Sequence, residues 1–195
     1  MSPAFCRALV LSLCSLPVTG HSAVGVLLEP KSPTVTGIGA TFEIDLVAAP
    51  DMGVNETIGA LDVCLTWDPS SVLLVGASGD SAVDAFGPYD WFQSGFLLPG
   101  GPNASLADGD GVWTGFAQFL NPFYAAPGGS KMATLTFKAI APTPVSSPAL
   151  FRVASSLLGG GLTAVFSGDG PNIDVTGALG QAVVQINPIR KILGT

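Results

Sequence analysis

The chain reads as an all-β protein, a two-sheet antiparallel β-sandwich of jelly-roll-like form with about nine strands. Three observations predict it. Apolar and polar residues alternate with period two in several separate stretches, as in Leu61-Asp62-Val63-Cys64-Leu65-Thr66-Trp67. The chain carries 25 Gly and 16 Pro, spread along its length as turn punctuation between short strands. No amphipathic helix of ordinary length and no repeat of solenoid period interrupts this pattern.

Taken in order, the first element is a leader. Arg7 precedes the apolar run Ala8 to Leu16, and Pro17 and small residues follow, the three-part layout of a cleavable signal peptide. Cleavage is expected between Gly20 and Val24, so residues 1–23 are assigned to the leader and the chain to a secreted, extracellular product. The run is too short to span a bilayer, which takes about 20 apolar residues, and no later segment qualifies as transmembrane. Leu13 stands where a lipoprotein would want a small residue before Cys14, which disfavours lipid anchoring.

The sandwich is expected over residues 24–187. Its strands are read at Val24 to Glu29, Thr41 to Ala48, Ile58 to Trp67, Ser71 to Ala77 and Gly95 to Leu98. The later ones are Gly111 to Phe119, Met132 to Ile140, Ala149 to Ser156, Leu162 to Phe166 and Gln181 to Ile186. Asp68-Pro69-Ser70-Ser71 makes the corner between the third and fourth, because Pro presets φ and the Asp and Ser side chains bond nearby backbone. The stretch Asp84 to Gln93 is read as a short turn, and residues 188–195 as a short tail.

Charge excludes some functions. The formal net charge is −7, and removal of the leader takes away Arg7 and no acid, leaving −8. So acidic a domain has no footprint for nucleic acid or for an anionic membrane surface. Outside the leader Cys64 is the sole cysteine, so no internal disulfide forms. Its period-two position puts it on the face of Asp62 and Thr66, either as an exposed thiol or as a small residue tucked under a loop, the second being the simpler reading.

The segment Gly59 to Ser78, an alternating strand ending in Trp67, then Asp-Pro-Ser, then an apolar strand, resembles the cohesin family of the carbohydrate-binding-module-like sandwich group. Thr41 to Val47, Met132 to Ala139 and Gln181 to Ile186 resemble further strands of that family, so the likeness spans most of the chain. The resemblance implies a non-catalytic recognition and adhesion module whose partner is a dockerin-like or other extracellular protein, or a polysaccharide. It implies too that the strand before the Asp-Pro corner presents polar outward positions to that partner. Asp62 matches a position that is acidic in typical members, while Ala60 departs from a position that is often polar.

No catalytic residue and no cofactor is assigned. The single histidine, His21, falls in the leader or at its edge, which takes away the commonest general base and any Ser-His-Asp arrangement. The acids fall mainly in turns, which turn chemistry explains. Two acidic glycine loops, around Asp108 and around Asp169, invite a calcium reading. Asp108-Gly109-Asp110-Gly111 begins with ligand-like spacing, but Val112-Trp113 follows where further ligands belong, so no metal site is assigned. Flat aromatic side chains that stack on sugars give the alternative function, polysaccharide recognition, through Tyr89, Trp91 or Trp113; for Trp113 core packing is the simpler reading. A structural component of an extracellular layer is the third reading. Asn55-Glu56-Thr57 and Asn103-Ala104-Ser105 match the glycosylation acceptor pattern.

Overall fold

The computed structural model describes residues 20–31, 35–79, 82–84, 87–89, 91–97, 99–117 and 123–188. Residues 1–19 of the expected leader and 189–195 of the tail lie outside the described residues, as do Leu98 and Phe119. The strands are β1 (Val24–Pro30), β2 (Val35–Gly37), β3 (Thr41–Pro50), β4 (Glu56–Trp67), β5 (Val72–Gly79), β6 (Ala82–Asp84), β7 (Gly87–Tyr89) and β8 (Trp91–Gly95). They continue with β9 (Asp110–Ala117), β10 (Phe123–Ala125), β11 (Ser130–Ala139), β12 (Ala149–Ala154), β13 (Ala164–Ser167), β14 (Thr176–Leu179) and β15 (Gln181–Asn187). A single 3-10 turn, Gly101–Asn103, is the only helical element among the described residues.

Two sheets stack on one apolar core. The smaller has the order β14-β1-β3-β11-β5, and the larger β2-β15-β12-β4-β9-β8 with β10 and β13 also paired to β4. Alternation builds each inner face: in β3, Phe42, Ile44 and Leu46 are buried while Glu43 and Asp45 are half-exposed. An aromatic cluster joins the layers. Phe137 of β11 lies 5.9 Å from Phe42 of β3 in its own sheet, and 4.8 and 5.6 Å from Phe151 of β12 and Trp67 of β4 in the other. Such ring pairs add about 0.5–1.5 kcal/mol each beyond their buried area.

Two edges depart from the expected antiparallel plan: β1 pairs with β14, and β2 with β15, in parallel. Between β14 and β15, at Gly180, the chain leaves one sheet and enters the other within one residue. Its N–H donates to Val26 O of β1 at 2.8 Å, and its carbonyl accepts from Val153 N of β12 at 2.9 Å. A Cβ there would stand 2.9 Å from the Leu27 Cα, so the switch needs glycine. Within the stretch read as a turn over Asp84 to Gln93, the described residues are strand: β6 and β7 pair antiparallel and β8 adds to the edge of β9.

Candidate functional site

β4 organises the outer face of the larger sheet. Its residues Ile58, Leu61, Val63, Leu65 and Trp67 enter the core, which turns Ala60, Asp62, Cys64 and Thr66 outward. Directly opposite them on β9 stand Phe116, Thr114, Val112 and Asp110, and on the other flank Phe166 and Ala164 of β13 oppose Ala60 and Asp62. Opposed residues share a face, so these side chains form one surface.

Part of that surface is roofed. The connection from β12 to β13 folds over Cys64: Thr163 Oγ1 accepts the Cys64 N–H at 2.9 Å and donates to Ala154 O at 2.6 Å, and Gly161 packs against Val112 and Cys64 Sγ. Cys64 is therefore fully buried, the tucked position, and burial pushes its thiol pKa up. The remainder is open. Asp62 is half-buried at the boundary, its Oδ1 accepting the Thr114 hydroxyl at 2.5 Å, and among the described residues it forms no ion pair. Phe116 is 43% exposed beside it, and the roof carries Leu158 and Leu162, both exposed, the latter 63%. A fixed carboxylate with the exposed ring of Phe116 in the next same-face pair along the β4–β9 ladder suits a protein partner that brings a donor and an apolar anchor.

The aromatic candidates divide. Trp113 points inward opposite Val63 and is 0% exposed, so as a binding residue it is corrected: period-two geometry gives it to the core, where no ligand reaches it. Tyr89 ends β7 and Trp91 starts β8, and the side chains of both lie outside the described residues. The Asp108 loop is a tight turn. Gly109 has φ +98°, and its carbonyl accepts the Trp67 N–H at 2.8 Å. Asp110 has its pKa raised by burial and then by Asp108.

Nothing in the strand pattern announces a second group of polar residues. His21 Nδ1 stands 3.1 Å from Oε1 of Glu56, which is buried at the start of β4, and Asp169 in the turn after β13 joins them. The nearby hydroxyls do not complete a nucleophile relay, because Ser22 Oγ donates to Asp51 and Ser167 Oγ to Glu56, neither reaching the imidazole. Asn103 of the second acceptor pattern is engaged on both sides of its amide, donating to Val112 O at 2.9 Å and accepting from Val112 N at 2.7 Å.

Comparison with solved structures places the architecture. The cohesin module of a family 33 glycoside hydrolase from Clostridium perfringens superposes with a TM-score of 0.56 at 14% identity, covering 86% of this chain and 99% of that one. The fold is cohesin-like. A type I cohesin–dockerin complex from Clostridium thermocellum gives 0.54 at 15% identity over 88% of this chain and 97% of that one. The seventh ScaB type I cohesin of Pseudobacteroides cellulosolvens gives 0.53 at 12% over 89% and 97%. No family model matches the sequence, and no curated protein matches it. No helix among the described residues is long and apolar enough to cross a membrane.

Proposed function

We propose that this cohesin-like chain is a secreted, non-catalytic binding module that captures a dockerin-like extracellular protein on the outer face of β4 and β9, a face that includes Asp62. The observation that carries the reading is the setting of Asp62. Its carboxylate is aimed by Thr114, lacks an ion-pair partner among the described residues, and borders the exposed ring of Phe116. Similar structures solved as cohesin–dockerin complexes support the class of partner. The polysaccharide alternative has lost Trp113 to the core and now rests on Tyr89 and Trp91.

Calorimetric titration with purified dockerin modules tests the proposal. Binding is expected, with affinity falling at least about 100-fold in Asp62→Lys, because a wrong-sign charge meets the partner's donors, and less in Asp62→Asn, which keeps the Thr114 bond. Dockerin binding that Asp62→Lys leaves intact sinks the assignment of the face. Retardation in polysaccharide gels that disappears in Trp91→Ala, with no dockerin bound, favours the carbohydrate reading instead.

A further inference from the structure

One group of metal-ligating side chains takes no part in the binding face. His21 Nδ1, a Glu56 carboxylate oxygen and an Asp169 carboxylate oxygen all lie within 4.8 Å of one another. They arrive from three distant places: the segment before β1, the first residue of β4, and the turn after β13. Separate bonds orient each acid. Ser22 N–H donates to Glu56 Oε2 at 2.9 Å, Ser167 Oγ donates to its Oε1 at 3.3 Å, and Thr57 Oγ1 donates to Asp169 Oδ1 at 2.7 Å.

A second observation makes the group more than a crowd of acids. The Glu56 side chain is 7% exposed, and its one ion-pair partner among the described residues is an imidazole that carries charge only when protonated. A buried carboxylate needs a compensating cation. A divalent ion supplies that charge while leaving the imidazole neutral, the form in which it ligates a metal. The 3.1 Å between His21 Nδ1 and Glu56 Oε1 matches the separation of roughly 3–3.5 Å between two ligands that each sit about 2.0–2.2 Å from zinc. Asp169 is exposed, and with Oδ1 held by Thr57 its carboxylate offers the ion a second oxygen as third ligand.

We propose that His21, Glu56 and Asp169 form a binding site for a zinc-class divalent ion. The ion ties the segment before β1 to the start of β4 and to the turn after β13. One nitrogen and two carboxylate ligands select a borderline metal over calcium, which prefers an all-oxygen shell. Along β4 the site lies six residues from Asp62, about 20 Å at strand rise, so it stands apart from the proposed binding face.

The test uses the secreted protein, in which the site requires the cut expected between Gly20 and Val24 to fall before His21, stripped with chelator and titrated with zinc chloride. One zinc per chain is expected, with a melting shift of about 5–10 °C at a hundredfold excess over Kd, and no shift with calcium at the same concentration. His21→Ala and Asp169→Asn are each expected to weaken zinc binding about tenfold or more, while Asp62→Lys leaves it unchanged. Asp169 is exposed, so its variant keeps the metal-free melting of the parent and separates loss of ligation from loss of fold. No stoichiometric zinc binding up to roughly 100 µM, binding retained in both ligand variants, a calcium shift independent of His21, or a mature chain that begins after His21 would each overturn the site.

Discussion

Gly109 shows how one residue holds a corner of the proposed binding face in place. Its φ of +98° lies in the left-handed region, and a Cβ there would come 2.6 Å from both Trp67 O and Pro69 Cδ. Gly109→Ala therefore adds backbone strain to steric overlap, and is expected to cost about 2–4 kcal/mol in urea unfolding. The Asp108-Gly109 pair, read in the sequence as hairpin-turn chemistry, thus has its reason in the backbone. Cys64 behaves oppositely to an exposed thiol. Burial raises its pKa above the ordinary thiol value, so little thiolate forms near pH 8, and the roof blocks access. A disulfide reagent at that pH is expected to label it only after denaturant is added; prompt labelling of the native protein would show that the roof opens.

At the scale of elements, β4 is the organiser because it changes partners on both flanks. It pairs with β12 over Cys64 to Trp67 and with β13 over Ile58 to Asp62, while β9 and then β10 line its other side. Its alternation was legible in the sequence, since the inner face is nearly all large and apolar. The strands that were not, β2, β6, β7, β8, β10 and β14, are three to five residues long and sit at edges, too short for period two to declare itself. The corner that ends β4 was legible too, from Asp68-Pro69-Ser70. There Asp68 Oδ1 accepts the Ser70 hydroxyl at 2.6 Å and the Ser70 N–H at 2.9 Å, and the hydroxyl bond first of all holds its pKa below the usual value. A lowered carboxyl pKa stabilises the fold above the unfolded value, about 4, and loses that contribution as pH falls through the folded one. Asp68→Ala is accordingly expected to be less stable than the parent at pH 7, with the gap narrowing in progressively stronger acid; a gap that persists unchanged at the acid end would assign the loss to packing.

For the whole molecule, what the sequence leaves undecided is which residues before β1 the sandwich packs against. Arg7 to Pro17 has the makings of a leader, and that pattern says nothing about which of residues 20–23 the sandwich needs. The contacts that decide this are long-range. Ser22 is 1% exposed; its N–H reaches Glu56 and its hydroxyl Asp51, while Met52 N–H donates to Ser22 Oγ and Asp51 N–H to Ala23 O. Asp62 could be picked out because strand alternation turns it outward, whereas His21 and Glu56, 35 residues apart, meet only through the packing of one segment on another. A chain starting at Val24 leaves the Glu56 carboxylate buried without its N–H and imidazole partners, a loss of about 2–4 kcal/mol for hydrogen bonds to charged groups. In metal-free buffer, such a chain is expected to melt about 5–10 °C below one starting at His21. Equal melting temperatures would mean that the sandwich closes without this segment, and that Ser22 and His21 merely lie against it.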